Sequence, residues 1–302
     1  MTVSQLLGRA MYALAWIPGC LPLALQRWLG SQAGRVNHVL NRREAKVARR
    51  NLELIAPELT PAQREVRVGE ILRATGSNAL ETLRVWTRSR ASNLRLVRSV
   101  HGLDLLEQTL AQGRGLILAA PHFGNWELLI EYMAARGPFS LVYRVPEKAP
   151  GDVFLRLARG GANVLLVPAE TNAMRPLFRA LKAGEVVGIT PDQQPKFGGG
   201  EFAPFFGKQA LTLSLIPKLA ERSGAPVLFA YAEPCPGGFN IYFEPAPKAI
   251  ASADLVEATA AMNLRVEEIA RRDLRQYQWT YKRYSRRPPG SGETNPYRPD
   301  CY

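Results

Sequence analysis

Between His101 and Thr190, short apolar runs alternate with amphipathic stretches. Leu103–Gln112, Trp126–Ala135, Val153–Arg159 and Met174–Lys182 carry apolar residues at helical spacing. Gly115–Ala120, Phe139–Tyr143, Val164–Val167 and Val186–Thr190 are apolar without alternation, which fits strands buried on both faces. Strands alternating with helices predict crossover units and a largely parallel sheet. Upstream the pattern is helical. Residues 35–56 read as one helix with an apolar stripe (Val36, Val39, Leu40, Val47, Leu54), ended by Pro57. Thr60-Pro61 starts another, with Thr60 as N-cap, that runs through Leu72. A further helical stretch covers Ala79 to Trp86. Downstream, Gln193–Lys208 reads as a Gly/Pro/Phe-rich loop. A helix containing Leu211, Leu215 and Leu219 follows, kinked by Pro217. Pro226–Tyr231 and Phe239–Phe243 read as strands joined through Gly237-Gly238, and Asp254–Asp273 as a helix. The tail from Arg286 is Pro/Gly-rich and is expected to be poorly ordered.

Charge adds a partner class to this picture. The 302 residues include 39 Lys+Arg against 26 Asp+Glu, a net charge of +13, which favours anionic partners. Ala10 to Gln26 is an uncharged stretch of 17 residues between Arg9 and Arg27, with Trp16 and Trp28 within or beside it. A membrane-spanning helix needs ~20 apolar residues, and Pro18, Gly19 and Pro22 interrupt this one. It reads as a kinked interfacial anchor or marginal span, or else as a buried helix of the fold. Arg35, Arg42, Arg43, Lys46, Arg49 and Arg50 follow it, suited to acidic head groups or to a solvated face. An anionic bilayer is therefore expected rather than nucleic acid, for which no recognition motif occurs. Cys20, Cys235 and Cys301 form no CxxC pair and no metal-ligand spacing with His38, His101 and His122. A reducing compartment and no metal are expected. The expected organisation is α/β, a mostly parallel central sheet flanked by helices with a helical membrane-apposed N-terminal region. It divides into 1–30 (anchor or interfacial segment), 31–100 (helical), 101–285 (α/β domain) and 286–302 (flexible tail).

The candidate chemistry sits where the first strand of the alternating region ends, in Gly-Leu-Ile-Leu-Ala-Ala-Pro-His-Phe-Gly-Asn-Trp-Glu, Gly115 to Glu127. Pro121 biases Ala120 to an extended conformation. Gly124 permits a sharp turn, Asn125 is a good N-cap, and Glu127 falls in the first helical turn, where negative charge is favoured. His122 lies outside the helix, so the loop can fold it over Glu127. A carboxylate on one ring nitrogen fixes the tautomer and raises the basicity of the other, which makes a general base. The bland alternative is a structural histidine and a helix-capping glutamate. No serine or cysteine nucleophile motif adjoins the pair, which suggests direct transfer to a substrate hydroxyl. Arg159 closes a helix and by itself is an ordinary C-terminal cation. Asp192, in Thr190-Pro-Asp-Gln193, follows a strand at the end where open α/β sheets place their sites. It binds a donor, orients a basic side chain, or simply makes a turn.

The spacing His-x4-Glu resembles the signature of glycerolipid-type acyltransferases. The words Pro-His-Phe-Gly-Asn-Trp-Glu resemble the bacterial lipid A late acyltransferase family, which adds lauroyl or myristoyl chains. The likeness continues through Tyr143-Arg144, Arg159, the block from Gly184-Glu-Val-Val to Pro191-Asp-Gln, and Trp279-Thr-Tyr-Lys-Arg-Tyr-Ser-Arg-Arg287. Broader glycerol-phosphate acyltransferases prefer Asn-His-x4-Asp. Pro121 and Glu127 favour the lipid A branch. The resemblance implies a catalytic pair His122 and Glu127, with Arg159 and Asp192 important for activity. It also implies an acyl carrier protein thioester as co-substrate and no cofactor, a lipid A precursor as acceptor, and anionic lipids of the inner membrane's cytoplasmic face as surroundings. Arg159, or backbone N–H groups at the start of the Trp126 helix, would stabilise the oxyanion. Arg144 and Arg283 are candidates for the acceptor's phosphates. Pro204-Phe-Phe-Gly-Lys208 could line an acyl slot, enter lipid or cover the core. The rivals are an acyltransferase of the same superfamily with another membrane (glyco)lipid acceptor, and a non-catalytic basic membrane-binding protein.

Overall fold

In the computed structural model, residues 1–169, 173–195 and 199–302 are described. The chain opens with helices α1 (Val3–Gly19), α2 (Leu23–Val39), α3 (Arg43–Ile55), α4 (Pro61–Thr87) and α5 (Arg90–Leu94). Then come β1 (Val97–His101), α6 (Leu103–Ala111), β2 (Leu116–Ala119), α7 (Glu127–Ala134), β3 (Phe139–Tyr143), α8 (Ala149–Arg159), β4 (Val164–Pro168), α9 (Met174–Lys182) and β5 (Val186–Ile189). The remainder is β6 (Gly200–Phe205), β7 (Lys208–Leu213), α10 (Leu215–Ser223), β8 (Val227–Cys235), β9 (Gly238–Pro245) and α11 (Leu255–Arg272). These elements form two compact units, each assembled from separate stretches. The first is Met1–Gln26, Leu80–Thr190 and Leu219–Pro245; the second is Arg27–Ala79, Pro191–Lys218 and Ala246–Tyr302. Consecutive segments along the sequence could not show this, because β8 returns beside β2, and β9 beside β1, after a long excursion.

The first unit is built on a seven-stranded sheet of order β1-β9-β8-β2-β5-β3-β4. All neighbours are parallel except the β8–β9 hairpin. The α/β class and the mostly parallel sheet expected from the sequence are thus what the chain forms. β2 lies between β5 and β8, with Ala119 in register with Ile189 on one side and Phe229 on the other. Every residue of β2, β3 and β5 is buried, which is why those segments read as unbroken apolar runs. On one face Leu116, Leu118, Phe139, Leu141 and Leu228 pack with Leu128, Leu129 and Met133 of α7 and Leu106 of α6.

Several local expectations are corrected. The basic helix expected over 35–56 is two helices, broken at Asn41, whose φ is +46°. The two pieces expected between Pro61 and Trp86 are one helix of 27 residues. Thr60 opens it, its backbone and side chain exchanging hydrogen bonds with Gln63. Within the expected loop Gln193–Lys208, residues 196–198 lie outside the described residues; the rest leads into the antiparallel β6–β7 pair. Its turn is Phe206-Gly207, both at positive φ, the backbone a two-residue hairpin requires. Leu211 therefore belongs to a strand, not a helix. Pro217 falls in the first turn of α10, where a missing N–H costs no internal bond, so no kink is needed. Phe205 and Phe206 are buried and pack with Trp279; they cover the second unit's core rather than lining a slot or entering lipid. The tail after Arg286 is tied down. Tyr297 is 1% exposed and donates to Asn51 Oδ1 at 2.5 Å, and Arg50 donates to the Pro296 carbonyl at 2.7 Å. Composition marked this tail as loose; a buried tyrosine and an asparagine far away in sequence hold it.

Candidate active site

β2 delivers its chain end to the middle of the sheet. There the backbone does not turn away at once: Gly124 bridges Ala232 in a strand-like contact, and the Asn125 N–H donates to the Ala232 carbonyl at 2.9 Å. Gly124 has φ +57°, and a Cβ on it would lie 2.0 Å from the Ala232 oxygen, so only glycine fits. This bridge fixes where His122 leaves the strand and where α7 starts. The helix begins one residue later than expected. Trp126, not Asn125, occupies the cap position, and no side chain caps it. The Asn125 side chain is instead buried, with neither polar atom hydrogen-bonded among the described residues. An unsatisfied buried amide costs about 1–3 kcal/mol, and the fold bears that cost inside the motif itself.

Glu127, the first residue of α7, is 3% exposed. A carboxylate this dry needs a matched cation, and Arg159, the last residue of α8, supplies it. Arg159 Nε lies 3.1 and 3.0 Å from the two carboxylate oxygens, and Nη2 donates to Oε1 at 2.5 Å. The guanidinium is also flanked by aromatic rings, with Cζ 5.0 Å from the centroid of Trp126 and 5.8 Å from that of Trp86. Partly exposed His122 meets the same Trp126 edge-on, ring centroids 5.5 Å apart. His122 and Arg159 thus meet at one indole, and Glu127 is tied to it through Arg159. α8 is held to the end of β3 by Tyr143, which donates to Asp152 at 2.9 Å and accepts from Arg156 at 2.7 Å.

One turn further along α7, Glu131 repeats the arrangement with Arg90 at 3.1 Å. Burial raises the Glu131 pKa, and the nearby Glu127 charge adds to the rise while Arg90 opposes it. Arg90, Glu131 and Trp86 carried no sequence signal of their own, and Trp126 was marked only as a member of the motif. The i, i+4 spacing of the two glutamates on an apolar helix was the trace available.

The remaining sequence candidates divide. Arg144 is exposed one residue beyond β3, at the carboxyl edge from which His122 also emerges. Asp192 belongs to the second unit. It is 3% exposed and shares a side-chain hydrogen bond with Tyr277, whose pKa is raised chiefly by burial and further by the Asp192 charge. Arg283, expected as a phosphate ligand, is 2% exposed in that unit. Its fork is used on the Leu211 carbonyl at 2.6 Å and Thr212 Oγ1 at 2.5 Å. It is a fold-holding cation, because its fork is spent on neutral acceptors of β7 inside the second unit. Arg159, expected at the site, is directed to Glu127 by its hydrogen bonds and holds that carboxylate.

A sequence model of the family described as bacterial lipid A biosynthesis acyltransferase matches residues 4–286. The chain belongs to the bacterial lipid A biosynthesis acyltransferase family. Among its relatives is the lipid A biosynthesis palmitoleoyltransferase of Escherichia coli strain K12, 29% identical over 91% of this chain and 90% of that protein. The lauroyltransferase of the same organism is 29% identical over the same shares of both chains. Its myristoyltransferase is 26% identical over 97% of this chain and 90% of the relative. The lipid A acyltransferase family resemblance drawn from Pro-His-Phe-Gly-Asn-Trp-Glu is therefore correct, and the protein is an acyltransferase of lipid A biosynthesis.

Proposed function

We propose that the protein moves a fatty acyl chain from an acyl carrier protein thioester to a hydroxyl of a lipid A precursor, with His122 as general base. The observation that carries this reading is that half-open His122 and the Arg159 guanidinium share the Trp126 ring, with Arg159 forked onto the buried Glu127 carboxylate. His122 takes the proton of the acceptor hydroxyl. The oxygen attacks the thioester carbonyl, the tetrahedral intermediate collapses, and the thiolate leaves and takes the proton back. Glu127 orients His122 and balances the imidazolium that forms. General-base catalysis of this kind contributes ~10²–10⁴-fold. Arg144 is assigned to acceptor phosphate, and Asp192 to support of its own unit's contribution through Tyr277.

The same reading places the enzyme at the cytoplasmic face of the inner membrane. Val3, Leu6, Leu7, Met11, Leu14 and Ile17 are all exposed on α1 and recur at helical spacing as one apolar stripe. Exposed apolar surface of this extent marks a contact with lipid or protein. No single described helix is long and apolar enough to cross a membrane, but α1 and α2 pass that test as a pair bent by 109°, which suits an interfacial anchor.

The test is incubation of the purified protein with lauroyl, myristoyl and palmitoleoyl acyl carrier protein and a lipid A precursor in mixed micelles. Mass spectrometry should show the gain of one ester-linked chain. Cells lacking the protein should make lipid A short of one secondary chain. Intact lipid A with an altered glycerophospholipid profile would contradict the assignment.

A further inference from the structure

Arg159 is the fulcrum of the site, and what holds it from behind reaches the amino-terminal helix. α1 has a second face, opposite its exposed stripe in character: Gly8, Ala15 and Gly19 are buried. A Cβ on Gly8 would lie 2.6 Å from Val153 Cβ and 2.7 Å from the Pro150 carbonyl, and one on Gly19 would lie 2.1 Å from Thr87 Oγ1. α1 therefore sits at backbone distance on α8 and on the end of α4. Between these two contact points lies Tyr12, whose hydroxyl donates to the Trp86 carbonyl at 2.9 Å. Phe154 of α8 closes the group, edge-on to Trp86 at 5.4 Å and to Tyr12 at 6.2 Å. Trp86 then presents its ring to Arg159, which is shared with Trp126 and forked onto Glu127.

We propose that Trp86, seated by Tyr12 of α1, is a positioning residue for the Arg159–Glu127 pair, so that the lipid-facing helix is part of the device that aligns the reacting centre. The proposal rests on the catalytic role assigned above to His122 and Glu127. Two physical points support it. A planar guanidinium between aromatic faces keeps its fork in one plane, and only a fixed fork holds a carboxylate by parallel bonds. The Trp86 indole N–H is buried with no acceptor among the described residues, whereas buried tryptophans usually find one. The residue is thus used here for its ring and not for its hydrogen bond. A bilayer that holds the Leu6–Leu14 stripe of α1 holds Tyr12 by the same rigid helix. Seating at the membrane and alignment of Glu127 are then one structural event.

The experiment uses the full chain in vesicles containing anionic lipid, with an acyl carrier protein donor and a lipid A precursor. Trp86→Leu should lower kcat about tenfold with KM for both substrates unchanged, while Trp86→Phe, which keeps an aromatic face and gives up the idle N–H with the rest of the pyrrole ring, should restore most of the rate. Tyr12→Phe should lower kcat about threefold. In a Glu127→Ala background, Trp86→Leu should add no further loss, because the two act through one pair. A readout independent of turnover is the Arg159 Nε–H resonance, which ring currents should displace in the wild type and which should move back in Trp86→Leu. Unchanged kcat in Trp86→Leu, a full additional loss in the Glu127→Ala background, or an unmoved Arg159 resonance would overturn the proposal. Absence of transfer by the wild type would instead overturn the functional assignment, and the resonance would still decide the positioning role. If Trp86→Leu does not fold, Trp86→Phe and Tyr12→Phe are compared with wild type by the same measurements. A Tyr12→Phe protein with wild-type kcat and resonance then overturns it.

Discussion

Arg283 is buried and Arg159 nearly so, its side chain 12% exposed, each in its own unit and each against an aromatic ring. Arg159 stacks with Trp126 and Trp86; Arg283 lies 5.2 Å from the Phe205 centroid. Burial and stacking therefore do not distinguish a site from a scaffold. The acceptors do. Arg283 donates to a carbonyl, a hydroxyl and, at 3.4 Å, the Asn263 amide oxygen, neutral groups that a fold must satisfy. Arg159 donates to a carboxylate that is itself 4% exposed and follows a half-open histidine by five residues. A charge pair kept dry against the same indole as a solvent-reachable base is costly to build, and general acid–base chemistry gives it a use.

Removing each cation separates the two cases. Arg159→Ala leaves Glu127 buried and uncompensated. We expect turnover to fall by on the order of 100-fold or more, alongside a stability loss of about 3–5 kcal/mol typical of a broken buried pair. Arg159→Lys, with charge but no fork, should recover only part of the rate. Steady-state kinetics and urea unfolding measure both, and wild-type turnover in Arg159→Ala would erase the distinction. Arg283→Met is expected to do the reverse. Acceptors left dry cost about 1–3 kcal/mol each, so the unfolding midpoint should drop while the rate per folded molecule stays within about twofold. A collapse of that rate with an unchanged midpoint would bring Arg283 back into the site.

The smallest effect is expected where the pair is most exposed. Glu65, in the second unit, is bonded by Arg49 and His38 and its pKa is lowered to about 2, with the Arg49 hydrogen bond the largest cause. A depressed carboxylate stabilises the fold above its ordinary pKa, and that contribution is lost as pH falls through about 4.5 towards about 2. With the Glu65 side chain 43% exposed, solvent screening holds the effect to about 1 kcal/mol or less. Glu65→Gln should flatten the acid limb of the stability curve. An unchanged slope would remove the ion pair from the account.

What the sequence carried was the part governed by local rules. Strands β3 and helix α9 were legible to the residue, because unbroken apolar runs and helical spacing are properties of neighbouring positions. The motif from Pro121 to Glu127 was legible because a strand end, a glycine turn and a helix start follow one another. Partnerships across the chain were not. Nothing near Arg159 in sequence marks it as the partner of Glu127 rather than a helix-end cation, and nothing near Arg283 separates it from a phosphate ligand. The β6–β7 hairpin was hidden by Gly and Pro content that reads as loop, although Phe206-Gly207 is the turn that makes it. The tail was hidden by the same composition, while Asn51 and Tyr297, far apart in sequence, hold it in place.

The central claim, that His122 supplies the base for acyl transfer, is tested most directly by purified His122→Ala assayed with an acyl carrier protein donor and a lipid A precursor. The account predicts a loss of roughly 10²–10⁴-fold in rate, an unfolding curve like that of the wild type, and no additional loss when Glu127→Ala is combined with it. A folded His122→Ala protein that transfers acyl chains at the wild-type rate would contradict it.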